Sequence, residues 1–183
     1  ILDIVVLQTN LNSKSTSVAV LKKETQSSSD KSLAKEKALK LLELRPRSER
    51  ELKQKLRLKG FTEKIIFEVI SDLKKVDLIN DEKFAESWAS SRLANKPMGK
   101  FLLKQELFRK GIKKELIEDV IKKSFEDEKE IGLAAKLLER RKKFFQNLED
   151  RKVQKKLSDF LLRRGFSYDI VNKVMRLKEA DES

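Results

Sequence analysis

The 183-residue chain contains no cysteine and no histidine. Without cysteine, neither a disulfide framework nor a thiolate metal site can form, and a reducing compartment poses no difficulty. Without histidine, the commonest general base and metal ligand are missing, together with the triads built on either. Only two prolines and five glycines occur, so helices can run with little interruption. Aromatic residues make up 7% of the chain, which leaves a real but thin core. No apolar run approaches the roughly 18 to 20 residues needed to cross a bilayer. The opening ILDIVVL is too short for a signal peptide and lacks its basic flank. The sequence also has no Gly-rich phosphate loop, no metal-spaced cluster and no nucleophile beside a base. Acidic runs such as INDEKF and FEDEKE fall at helix boundaries, and Asp81 after Asn80 reads as a helix start rather than a catalytic or metal site. The chain therefore reads as a non-enzyme without a cofactor, whose function lies in its surface.

Charge, by contrast, is abundant. Charged residues are 40% of the chain, the net charge is +13 and the pI is near 9.8. That sign and size point to a polyanionic partner, nucleic acid or nucleoprotein, and say nothing of fold. A lysine-rich solvated surface is the plainer reading of the same numbers. With 39% hydrophobic residues, the composition suits slender helices with long solvated faces better than a compact sheet enzyme.

Residues 1–32 stand apart. ILDIVVLQTN and STSVAVLKKE are rich in β-branched residues and flank the turn-prone LNSK, which predicts an N-terminal β-hairpin. TQSSSDKS, residues 25–32, reads as a linker. From Leu33 onward the apolar period is helical. Ala34, Ala38, Leu41 and Leu42 share one face, Pro46 ends that helix, and SERE opens the next with Ser48 and Glu51 as a capping box. Thr62 is placed to cap a third helix.

The stretches LRLKGFTEKIIFEVI, LFRKGIKKELIEDVI and LLRRGFSYDIVNKVM carry one apolar skeleton three times. Gly60, Gly111 and Gly165 stand 51 and 54 residues apart. Eight and four positions before them lie Leu52 and Leu56, Leu103 and Leu107, Leu157 and Leu161. Phe61, Ile112 and Phe166 follow at once. The next apolar sets are Ile65, Ile66, Val69 and Ile70; Leu116, Ile117, Val120 and Ile121; Ile170, Val171, Val174 and Met175. Helical periodicity does not place a glycine, so the common register marks a repeat. Each unit is a helix, a left-handed glycine turn and a helix, preceded by one further apolar-striped segment. The expected architecture is all-α, with three tandem three-helix repeats over 33–80, 81–130 and 131–178 and a tail at 179–183. Units of roughly fifty residues bury little alone and must pack on their neighbours.

Lys59, Lys110 and Arg164 precede the repeat glycines, where a cation complements the end of a helix dipole. That reading does not reach Arg45, Arg47, Lys53, Lys55 and Arg57, nor Arg92, Lys96, Lys100, Lys104 and Arg109, nor the run ERRKKFF at 139–145. Taken singly, each fits a solvated face as well as a binding face; as a group they fit a binding surface, because repetition lines them up. Trp88, at helical spacing from Phe84 and Ala85, reads as core packing rather than as a base-stacking residue.

The segment RPRSERELKQKLRLKGF, with its Arg-x-Arg-Ser-x-x-Glu-Leu pattern, and the element at Asp81, Phe84 and Ala85 together with QELFRKGI resemble the RecX family, bacterial regulators of the RecA recombinase. The resemblance covers residues 36 to about 176. It implies an elongated, curved rod of three repeats with a basic concave side, cytoplasmic and monomeric. Such a protein binds the groove or the end of the RecA filament on single-stranded DNA, contacts the DNA weakly and without sequence preference, and suppresses ATP hydrolysis, strand exchange and filament extension. The surface assigned to RecA and DNA comprises Arg45, Arg47, Lys53, Arg57, Arg92, Lys96, Lys100, Lys104, Arg109, Lys110, Arg163 and Arg164. The competing expectation is a basic, tandem helix-turn-helix-like DNA-binding protein without a RecA partner.

Overall fold

The structure, a computed structural model, describes residues 28–125, 127–145 and 150–181. The N-terminal hairpin expected from the sequence lies outside these residues. All regular secondary structure among the described residues is helical: α1 (28–44), α2 (Glu49–Arg57), α3 (Glu63–Lys75), α4 (Asp81–Asn95), α5 (Lys100–Arg109), α6 (Lys114–Ser124), α7 (Asp127–Lys142), α8 (Arg151–Arg163) and α9 (Tyr168–Asp181). They group as three units of three, each pairing a leading helix with a helix–glycine–helix hairpin.

The hairpin turns have one geometry. Gly60, Gly111 and Gly165 have φ of 86°, 83° and 84°. In each turn the residue after the glycine donates its N–H to the carbonyl of the leucine four positions before the glycine: Phe61 to Leu56 at 3.4 Å, Ile112 to Leu107 at 3.2 Å and Phe166 to Leu161 at 3.3 Å. The glycine N–H reaches the next carbonyl along, that of Arg57, Phe108 or Leu162, at 2.9 Å in every case. This double closure satisfies the last carbonyls of the helix, needs a left-handed residue at its centre, and brings the following apolar side chain back over the helix it ends. The spacing of leucine, glycine and aromatic or isoleucine is thus the footprint of one capping motif. The same closure ends α3 with an aspartate in place of glycine. Asp77 has φ 58°, its N–H reaches Lys74 and that of Leu78 reaches Leu73, each at 3.0 Å. A short polar side chain tolerates that conformation, which a search for glycine overlooks.

All of the repeated apolar positions pack inward; Phe61, Leu116, Ile170 and Met175 are partly buried and the rest are buried. The leading helices contribute small residues, Ala34 and Ala38 on α1 and Ala85 and Ala89 on α4, all 0% exposed. At the helix starts, Ser48, Thr62 and Asn80 accept the N–H groups of Glu51, Ile65 and Lys83 at 3.2, 3.5 and 3.0 Å. Helix α1 begins at 28, inside the stretch read as linker. Lys31 Nζ meets Asp72 at 2.9 Å and Glu68 at 3.4 Å, so the acidic face of α3 holds this first turn in the helix. Helix α7 begins at Asp127, ahead of the expected start of the third repeat, because buried Glu130 is tied into the packing described next.

The fold divides into two compact units, residues up to Ile79 and residues from Asn80 onward. The first is the first repeat. The second holds the other two repeats, joined through the N-terminus of α5. Gly99 N–H donates to the Arg164 carbonyl at 2.9 Å, Phe101 N–H to the Gly165 carbonyl at 3.2 Å, and Lys100 N–H to Glu130 Oε1 at 3.0 Å. Three donors that a helix start leaves without partners therefore find them in the third repeat. The end of α8 lies against the start of α5, so the two dipoles meet with opposite partial charges. Glu130, 4% exposed, also receives Lys100 Nζ at 3.2 Å.

Candidate nucleic-acid interface

The joint between the second and third repeats shapes a cleft of about 630 Å³. Pro97 takes Lys96 out of the helical conformation (φ −139°, ψ 77°) and ends α4, so that Arg92, Asn95 and Lys96 stand along one wall. Buried Met98 and partly buried Leu102 form part of the floor. The opposite wall comes from α7 and the turn after it, with Leu137, Arg140, Arg141 and Phe144, and from α8, with Phe160, Arg163 and Arg164. Among the described residues, six cations line this cleft and no carboxylate does.

One of the six is already engaged. Arg92 forks onto Glu106, with Nε 2.7 Å from Oε2 and Nη2 on Oε1, and Trp88 Nε1 donates to the same Oε2 at 3.1 Å. Burial works to push the Glu106 carboxyl up, but the hydrogen bonds from Arg92 and Trp88 outweigh it and hold the group below the ordinary carboxylate range. The hydrogen bond to Glu106 likewise raises Arg92. Trp88 is half-buried: it stacks on Phe84 with centroids 5.9 Å apart, while Lys110 Nζ sits 4.2 Å from its ring centroid. Its inner side belongs to the core, as expected, and its outer face serves a cation.

Lys96, Arg140, Arg141, Arg163 and Arg164 form no ion pair among the described residues. Two are held by rings instead. The Arg141 guanidinium carbon lies 5.7, 5.6 and 5.5 Å from the ring centroids of Phe144, Phe145 and Phe160, and that of Arg164 lies 5.4 Å from Phe160. A guanidinium engaged with a ring forms no ion pair through that contact and still carries N–H donors for an oxyanion. The lining offers charge, N–H donors and π-faces.

Three models of the RecX family, described as its first, second and third three-helix domains, match residues 34–73, 80–121 and 127–175. The regulatory protein RecX of Clostridioides difficile is 38% identical over 154 residues, covering 81% of this chain and 70% of that protein. The chain belongs to the RecX family. The regulatory protein RecX of Clostridium perfringens strain 13 is 35% identical over 144 residues, 78% of this chain and 66% of the relative, so the chain spans about two thirds of the length of such relatives. The crystal structure of RecX from Lactobacillus salivarius superposes with a TM-score of 0.76 at 29% identity, covering 84% of this chain and 99% of that one.

In this RecX fold the basic residues singled out in the sequence separate into four groups. Arg92, Lys96, Arg163 and Arg164 meet in the cleft. Lys100 and Lys104 line another depression, where Lys100 pairs with Glu130 and both share the surface with Asp169 and Lys173. Arg109 is exposed at the end of α5, next to Lys110 on Trp88. In the first unit four of the cations are engaged by their own repeat. Arg45 forks onto Glu51 at 3.0 and 3.2 Å, Arg47 Nε reaches the Leu41 carbonyl at 2.9 Å, Lys53 pairs with Glu49 at 2.6 Å, and Arg57 forks onto Glu63. Burial lowers Arg47 from the usual guanidinium range. Arg140, Arg141, Phe144 and Phe160 complete the cleft. The first three lie in ERRKKFF, a run whose basic and aromatic composition is visible in the sequence but whose meeting with α4 and α8 is not. No described helix is long and apolar enough to cross a membrane, and the described residues hold no acidic group of three or more arranged for a metal.

Proposed function

We propose that this chain is a negative modulator of the RecA recombinase, acting as a monomer on the RecA filament assembled on single-stranded DNA. It suppresses ATP hydrolysis, strand exchange and filament extension, from the filament groove, from its end, or from both. Family membership across all three repeats carries this reading. The cleft supports it, since five of its cations have no carboxylate partner among the described residues and suit a nucleoprotein. A bound regulator changes filament behaviour only by its differential affinity for two filament states. The protein must therefore hold adjacent RecA subunits in a geometry that hydrolyses ATP poorly, or block addition at a growing end.

The test is steady-state ATP hydrolysis by RecA on single-stranded DNA, with the chain titrated from substoichiometric amounts at two salt concentrations. Inhibition well below one copy per RecA subunit is expected, and favours end-blocking or propagated destabilisation over stoichiometric coating. No inhibition, with naked DNA still bound, would remove RecA as the partner. The tandem helix-turn-helix alternative is disfavoured by α6, whose exposed face carries Glu115, Glu118 and Asp119, charges that phosphate repels.

A further inference from the structure

The cleft between the second and third repeats combines two features that seldom serve one ligand. Cations alone would accept any polyanion. The rings narrow the choice. Phe144 is 77% exposed at the rim and lies beside Arg141. Phe160, half-buried on α8, has the guanidiniums of both Arg141 and Arg164 over its ring, at 5.5 and 5.4 Å from its centroid.

The ligand that uses both features has flat π-faces and anionic oxygens a few ångströms apart. A nucleotide chain has them, since bases stack on aromatic rings and guanidinium planes while phosphates take the donating edges of arginine. A duplex keeps its bases stacked on one another and presents phosphate alone. An acidic peptide brings carboxylates without the π-face. We infer that this cleft seats a single strand of nucleic acid, with a base on the exposed ring of Phe144 and neighbouring phosphates on Lys96, Arg140 and Arg163, and that it thereby prefers single strand to duplex. The inference deepens the filament reading and rests on it only for which strand is met in the cell; the binding itself belongs to this chain alone.

The experiment uses the full chain without RecA and measures fluorescence anisotropy of a labelled oligothymidylate over a series of salt concentrations, against a duplex of equal length. Single strand is expected to bind at least about tenfold more tightly, the contribution of about one base–aromatic stack. Phe144→Leu should weaken single-strand binding roughly tenfold, leave duplex binding alone and leave the salt slope unchanged. The Arg140→Ala, Arg163→Ala double variant should reduce the slope of log K against log salt by about 1.4, since each single-strand phosphate contact contributes roughly 0.7. These changes lie at surface positions, so circular dichroism should match the parent chain. Equal affinity for the duplex, or a neutral Phe144→Leu, would overturn the inference. Displacement of the oligonucleotide by polyglutamate of equal charge as readily as by unlabelled oligothymidylate would also overturn it and mark a seat for acidic peptide. Strand binding as expected, with no effect on RecA hydrolysis, would remove the filament reading and keep the cleft. Inhibition of hydrolysis by a chain whose strand binding ignores Phe144 would do the reverse.

Discussion

Replacing Gly99 by alanine tests the joint that forms the cleft. A Cβ at this position would overlap the Gly165 carbonyl oxygen and carbon and stand 2.5 Å from the Phe166 nitrogen. All three are backbone atoms, which no rotamer change can move aside. To admit the methyl, the start of α5 must withdraw from the end of α8. The hydrogen bonds from Gly99 and Phe101 N–H to the Arg164 and Gly165 carbonyls would lengthen together, at about 0.5–1.5 kcal/mol each. Overpacking of a close contact adds about 1–3 kcal/mol. A total of about 2–6 kcal/mol is expected. Gly132→Ala provides the control. Gly132 lies within α7, and a Cβ added there would meet nothing inside 4 Å, so the same chemical change should stabilise by about 0.5–1 kcal/mol. Urea unfolding followed through Trp88, the one tryptophan and a resident of the second repeat, reads the affected unit directly. Midpoints for Gly99→Ala and Gly132→Ala that shift in the same direction by similar amounts would refute the backbone-to-backbone contact and the cleft geometry that depends on it.

Other perturbations separate the remaining terms. Gly60→Ala meets nothing within 4 Å, so its cost is that of the left-handed backbone alone, about 1–2 kcal/mol by circular dichroism during denaturation. Ser48→Ala removes a fully buried N-cap from α2 and should cost about 1 kcal/mol, read by the same signal because the first unit has no tryptophan. Glu106 has a lowered carboxyl in the folded state, so its stabilising contribution is fully present above the unfolded value of about 4.3 and is lost as pH falls through the lower folded value. Glu106→Gln should therefore flatten the fall in stability below about pH 4.3, measured through Trp88; an unchanged acid limb would show the Arg92 pair to be inert.

Much of this architecture is legible in the chain because its determinants are local. Each repeat glycine follows the last turn of a helix, its leucine supplies the carbonyl that the next residue closes upon, and the apolar partners lie within ten residues on either side. A motif held by neighbours in sequence leaves its spacing in the sequence, and so the three hairpins, their caps and their buried faces could be read directly. Asp77 escaped because aspartate takes over the left-handed position that glycine holds elsewhere.

The cleft is of another kind. Its walls come from residues as far apart as Arg92 and Arg164, and whether a cation is available depends on which carboxylate lies near it in space. Arg57 and Arg163 look alike in the sequence, each at the end of the second helix of its repeat. Glu63 engages the first, whereas Arg163 faces a cleft that no acid among the described residues lines. Gly99 gave no signal because its partner is a backbone carbonyl of another repeat, and Glu130 gave none because it meets the backbone N–H and the ammonium of Lys100 thirty residues away; a backbone group carries no residue identity. The sequence by itself therefore determined the repeats and their turns, through contacts local to the chain, and the sign of the chain's own net charge. Only the tertiary structure decided which cations remain without acid partners and which rings stand beside them, because charge neutralisation and stacking depend on distance in space.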